Sequence, residues 1–309
     1  MKEIKTPFLH TYSIVEVDRK TNQIGVAVQS HWFAVGSLCP WIEPGVGVIA
    51  TQSMVEISYG PKGLSLLRDG KSAQQALDEL LAVDDGKELR QVAVVDARGN
   101  VATHTGKRCI AEAGHQTGDA FSVQANMMLN DIVWPAMASA FENSQGNLAK
   151  RLLSALQAAQ RAGGDIRGKQ SASLLVSENI KDDTPWKHIL TDLRVDDHPD
   201  PIIELERLLD IQSAYTLMNE GDNLLSKNEH ETAGIKYQQA VKLAPNNEEL
   251  PFWYAVTLAD TGKIDQALPI FKRVFRRNRN WVLLVQRLPA SGLLTKDPQV
   301  MRKILSSTH

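Results

Sequence analysis

The hydrophobic period changes near position 196, and that change limits the fold more than any composition figure. Up to about Arg194 the chain is made of short apolar runs of strand length with two helical blocks between them. Beyond the polar stretch 196–201 the pattern is helical throughout. Residues 13–17 and 24–28 are rich in β-branched side chains and flank a polar turn at 18–22, so they read as a hairpin. Residues 91–95 and 101–103 repeat that arrangement around the turn 96–100. Turns this short join antiparallel strands, which argues against a doubly wound parallel sheet. Residues 46–50 and 171–176 supply two more buried-type strands.

The helical blocks carry their own signals. Pro61 opens a helix bearing Leu64 and Leu67. Ser72 followed by Gln75 forms a capping-box pattern ahead of Leu77, Leu80 and Leu81. The second block, about 131–162, repeats Leu148, Leu152, Leu156 and Ala159 at helical spacing and stops at Gly163-Gly164. Strand clusters alternating with helix pairs predict a layered α+β domain. The stretch 196–201 holds two prolines and predicts a linker. The expected division is an N-terminal extension at 1–10, a layered domain at 11–197 and a helical domain at 198–309.

The helical part repeats with a period of 34 residues. Ala233 aligns with Ala267, Tyr237 with Phe271, Ala240 with Val274 and Leu224 with Leu258. Period and small–aromatic–small pattern resemble a tetratricopeptide repeat, in which small residues let paired helices approach closely. Residues 203–306 therefore read either as a surface for a protein partner or as a packing module. The cluster Lys272, Arg273, Arg276, Arg277 and Arg279 is a solvated helix face or a dock for an acidic partner.

Composition excludes several classes. At 309 residues and 43% hydrophobic content the chain is no disordered polymer, and roughly 150 residues per domain suggests two domains. A formal charge of −2 argues against nucleic acid as partner. No apolar run approaches the ~20 residues of a membrane helix, and the first residues lack a secretory-type apolar stretch. Cys39 and Cys109 form no CxxC pair, so a reducing cytoplasm is expected. His31, His104 and His115 lack ligand spacing and no phosphate loop is present, so no metal and no cofactor are expected.

Six segments in order carry a resemblance: 11–15 (Thr-Tyr-Ser-Ile-Val), 25–36, 45–52, 59–64, His104-Thr105-Gly106 and 163–172. They resemble a bacterial family, the domain of unknown function 1028. That family is grouped with the N-terminal nucleophile (Ntn) hydrolases. The resemblance implies a four-layer αββα sandwich, here followed by the all-α tetratricopeptide-like module. It also implies an amidohydrolase that cleaves a small amide or peptide-like bond. Homodimerisation is expected, because sandwich sheets of this class often associate. The alternative is a non-catalytic ligand-binding or scaffold protein of the same fold that recruits a partner through its helices.

Ntn hydrolases use a Thr, Ser or Cys at the head of the mature chain, with its own α-amine as base; that amine titrates near 7.7–8. Thr11 stands at the matching position, and while residues 1–10 precede it its nitrogen is an amide. Ser13, two positions on and on the same strand face, is the second nucleophile candidate. Gln124 and Asn126 follow the strand at 120–123, and Asn126 is the candidate oxyanion donor. Ser30, His31, Thr51 and Gln52 end apolar strands, where a rigid scaffold would hold substrate-binding groups. His104 joins them as a candidate, and Asp165 with Arg167 forms either a carboxylate-binding pair or an ion pair bracing the turn.

Overall fold

The computed structural model describes residues 8–227 and 229–307; most of the expected extension, residues 1–7, lies outside the described residues. The strands are β1 (Phe8–Leu9), β2 (Thr11–Asp18), β3 (Gln23–Ser30), β4 (Pro40–Glu43), β5 (Gly47–Met54), β6 (Arg90–Asp96), β7 (Val101–Thr105), β8 (Gly114–Gly118), β9 (Phe121–Ala125), β10 (Ser171–Glu178) and β11 (Ile189–Val195). The helices are α1 (Tyr59–Arg68), α2 (Ala73–Ala82), α3 (Val133–Asn143), α4 (Leu148–Arg161), α5 (Pro201–Ser226), α6 (His230–Leu243), α7 (Glu249–Asp260), α8 (Ile264–Arg277), α9 (Asn280–Arg287) and α10 (Pro298–Ser306). The chain divides into two compact units, one up to Leu208 and one from Leu209. That division falls inside α5 and not in the 196–201 stretch read as a linker. Pro201 opens α5, because the first helical turn needs no N–H from its first residue.

The first unit holds two antiparallel sheets. One has the order β1-β5-β6-β7, with β4 also on β5; the other runs β11-β10-β3-β2-β9-β8. The hairpins expected at 13–28 and 91–103 are present as β2–β3 and β6–β7. Ser72 caps α2 in a full capping box with Gln75. Leu64 and Leu67 of α1 and Leu77 and Leu80 of α2 pack with Ile49, Val92 and Val94 on one face of the first sheet. On the second sheet α4 comes so close to β3 that a Cβ at Gly25 would lie 2.6 Å from Leu152 Cδ1. Glycine at this position permits the contact. Between the sheets, Val15, Val17, Val26 and Val28 meet Val48, Ala50, Ala93 and Val95.

The second unit is helical. Ala233, Tyr237 and Ala240 are the buried positions of α6, and Ala267, Phe271, Val274 and Phe275 those of α8. Phe252, Phe271 and Val285 belong to one apolar cluster spanning α7 to α10. Arg273, Arg276 and Arg277 lie on the opposite, exposed side of α8. Among the described residues no helix is long and apolar enough to cross a membrane.

Candidate functional site

Strand alternation places Thr11, Ser13, Val15 and Val17 on one face of β2, turned toward the other sheet. The first two are polar and the last two are not. The same switch occurs on β3 between Ser30 and Val28, on β5 between Gln52 and Ala50, and on β6 between Gln91 and Ala93. Strand pairing brings all four switches to one end of the space between the sheets, where β9 adds Gln124 and runs on to Asn126. Thr11, Ser13, Ser30, Gln52, Gln91, Gln124 and Asn126 are all fully buried there.

These groups satisfy one another, as buried polar groups must. Ser13 Oγ donates to Gln52 Oε1 and accepts from Gln124 Nε2, each at 2.6 Å. Gln52 Nε2 donates to Gln91 Oε1 at 2.7 Å and to the Thr11 carbonyl at 3.2 Å. Asn126 Nδ2 donates to Gln91 Oε1 at 2.9 Å, and Gln91 Nε2 donates to the Ala125 carbonyl at 2.9 Å. The backbone bends just outside this network: Ser53 (φ 72°) follows Gln52, and Met127 (φ 57°) follows Asn126. Left-handed backbone at non-glycine residues costs about 1–3 kcal/mol and persists only where the surroundings hold it.

Thr11 sits at the head of the network with a peptide nitrogen, and its Oγ1 donates to the Leu9 carbonyl at 2.7 Å. The carbonyl of the preceding residue is held by two donors: Ser30 Oγ at 2.6 Å and Arg167 Nη2 at 3.0 Å. Arg167 is in turn fixed by a two-pronged pair with Asp165, Nε to Oδ1 at 3.0 Å and Nη2 to Oδ2 at 2.7 Å. Asp165 also accepts the His31 backbone N–H at 3.3 Å. His10 Nδ1 lies 2.8 Å from Asn126 Oδ1. Burial holds the His10 imidazole below its ordinary pKa; the Asn126 hydrogen bond raises it and Arg167 lowers it. Since Asn126 spends its N–H on Gln91, the neutral His10 ring donates from Nδ1.

Of the residues singled out in the sequence, Thr11, Ser13, Ser30, Gln52 and Asn126 therefore share one network, with Asp165, Arg167 and the His31 backbone at its edge. Two lie elsewhere. Thr51 alternates with Gln52, so it faces the helix-covered side of β5, where its Oγ1 donates to the Glu56 carbonyl at 3.3 Å. His104 pairs in register with Val92 on that same side and bonds the Lys87 carbonyl at 2.8 Å. Sequence reading missed Gln91 and His10. Gln91 carried a signal, being a polar residue in phase with the buried Ala93 and Val95; His10 carried none.

Residues 11–205 match the Family of unknown function (DUF1028). A crystal structure of a protein from Silicibacter pomeroyi, assigned to the same family, is similar at 32% identity and a TM-score of 0.59. That similarity covers 65% of this chain and 84% of the other. Anbu (ancestral beta-subunit) from Yersinia bercovieri aligns at 10% identity over 71% of this chain and 97% of its own, with a TM-score of 0.31, too loose an overlap to bear on the fold. No curated protein matches the chain. On the family match and the Silicibacter structure together, the chain belongs to the Family of unknown function (DUF1028).

Proposed function

We propose that the chain is the precursor of an Ntn-type amidohydrolase whose nucleophile is Thr11 and whose layered first unit is an Ntn sandwich. One observation carries this reading: the carbonyl preceding Thr11 is gripped by Ser30 Oγ and Arg167 Nη2, two donors suited to an oxyanion. In the first step Thr11 Oγ1 bonds to the His10 carbonyl carbon and the His10–Thr11 C–N bond breaks. The hydroxyl proton ends on the departing nitrogen. Water then hydrolyses the ester, leaving a carboxylate on His10 and a free amine on Thr11. With its amine free, Thr11 attacks an amide substrate through Oγ1, and the amine takes the hydroxyl proton and passes it to the leaving nitrogen. In this reading Ser30 and Arg167 hold the substrate oxyanion, while Asn126, expected from sequence as the oxyanion donor, gives its N–H to Gln91 and turns its Oδ1 to the His10 ring. Ser13 is the weaker nucleophile, since its hydroxyl already donates to Gln52 and accepts from Gln124.

The test is the intact mass of purified protein together with a screen of amide substrates. The expected result is a chain beginning at Thr11 that hydrolyses at least one amide. Thr11→Ala should keep residues 1–10 and lose hydrolysis. Active, pure protein that still carries residues 1–10 would sink the mechanism.

A second reading, a non-catalytic binding protein of the same fold, is favoured by the commitment of Thr11 Oγ1 to the Leu9 carbonyl while its nitrogen is an amide. In either reading the helical unit serves as a tetratricopeptide-like partner module. Its support is the exposed row Arg273, Arg276 and Arg277, which has no ion pair among the described residues. An acidic peptide should bind it in a salt-dependent manner, and binding unchanged by Arg276→Glu would remove that row as the dock.

A further inference from the structure

We propose that the site takes its substrate as an extended peptide, in the register now occupied by the chain's own residues 8–10. This rests on the reading of Thr11 as the head of the site. β1 is a strand added to the edge of β5, with Phe8 opposite Met54 and Leu9 opposite Ser53. The other half of that edge is already taken by β4, whose Pro40–Glu43 pairs with residues 47–50. The short edge at 53–54 is thus a place where a main chain docks by backbone hydrogen bonds, a common mode of peptide recognition.

The side chains define what fits. Leu9 is fully buried and belongs to the apolar cluster between the sheets, so the second residue before the scissile bond enters hydrocarbon. His10 is nearly as buried, yet its ring meets a side-chain amide, Asn126 Oδ1 at 2.8 Å. The residue next to the scissile bond therefore enters a polar socket that wants a neutral donor of ring or amide size. Its carbonyl lies between Ser30 and Arg167. An occupant matching these features is a peptide in strand conformation, with an apolar residue followed by a hydrogen-bonding one on the acyl side of the cut. A small amide lacking that second residue would leave the Leu9 socket empty and the edge at 53–54 unpaired.

The experiment uses the full-length chain with Thr11→Ala, in which no hydrolysis occurs and the segment stays attached. The probe is fluorescein-labelled Thr-Pro-Phe-Leu-His with a free carboxylate, followed by anisotropy. The Thr11→Ala chain should not bind it, because its own segment fills the site. Adding Leu9→Asp should expel that segment and give saturable binding. Replacing Leu by Asp in the peptide should then weaken binding by at least about tenfold, since a charge cannot enter the apolar socket unpaired. A Leu9→Asp chain that melts cooperatively yet binds no peptide, or binds the Asp peptide equally well, overturns the proposal. If Leu9→Asp fails to fold, Leu9→Ala replaces it, and absence of saturable binding there also overturns it. Peptide binding by the Leu9→Asp, Thr11→Ala chain, with no amide hydrolysis by the chain that keeps Thr11, would keep this site and discard the hydrolase. Thr11-dependent hydrolysis of small amides without peptide binding would do the reverse.

Discussion

The space between the two sheets has two halves of opposite character. At one end Val15, Val17, Val48 and Val95 pack as hydrocarbon; at the other, a few residues along the same strands, Ser13, Gln52, Gln91, Gln124 and Asn126 form a hydrogen-bonded network. Both halves are equally dry. The apolar half stabilises by burial alone and tolerates any shape that fills it. The polar half stabilises little net, because each bond replaces one to water, yet loss of a single member strands its partners. A chain under pressure for stability alone would extend the valines to the end. The amides instead gather around Thr11, two of them bonding its own carbonyl, at the end where the proposed chemistry would take place.

Substitutions at the two ends should therefore separate. Ser30→Ala should lower amide turnover by about 10²–10³, the usual cost of one oxyanion donor, as read by kcat on the best substrate. A loss no larger than twofold would remove Ser30 from that role. Ile24→Ala, in the hydrocarbon half, should cost about 2–5 kcal/mol in urea unfolding while leaving kcat per folded molecule unchanged. Gln52→Leu imitates the apolar half inside the polar one. It leaves the Ser13 hydroxyl without its acceptor and removes one of two donors to Gln91 Oε1, at about 1–3 kcal/mol for each orphaned group. It should lower both stability and turnover; a stable, fully active Gln52→Leu would show that the two halves do not differ in function.

Much of this contrast was legible before any coordinates. The β2–β3 hairpin announces itself by two β-branched runs around a polar turn, and the Ser72–Gln75 box marks the start of α2 locally. Gln52 and Asn126 stand out as polar residues at strand ends, and Ser13 as the hydroxyl two positions after Thr11 on the same strand face. Three things were not legible, each for its own reason. β8, Gly114–Gly118, is a half-exposed edge strand with no apolar alternation to announce it. The phase of Gln91 with Ala93 and Val95 marks it as inward-facing, but its meeting with Gln52 and Asn126 is set by register between strands and not by local pattern. The burial of Leu9 and His10 depends on pairing with β5, more than forty positions away, and local pattern carries no trace of that. Thr51 shows the converse: neighbouring strand residues point to opposite faces, so proximity in sequence to Gln52 did not bring it to the network.

The two ends of β2 should also differ in the sign of their response to pH. Glu16 lies on the other face of β2, bonded to Arg151 at 3.1 Å, with Oε2 buried and unpartnered. Burial pushes its pKa from 4.5 up to about 7; Arg151 pulls it down and Asp18 pushes it up. Between those values the native state holds more protons at this site than the unfolded chain. Glu16 therefore makes stability fall as pH rises through that window, by at most about 1.4 kcal/mol per pH unit. His10 works the other way. Its folded pKa lies below the ordinary 6.5, so its contribution is present above that value and is lost as pH falls through the folded pKa. In the Thr11→Ala chain, which retains the segment, Glu16→Gln should make the plot of unfolding free energy against pH rise more steeply between about 4.5 and 7. His10→Gln should tilt it downward, by a smaller amount. If Glu16→Gln leaves the slope unchanged, its carboxyl titrates as in water and the ionic end of the strand is no less relaxed than the amide end.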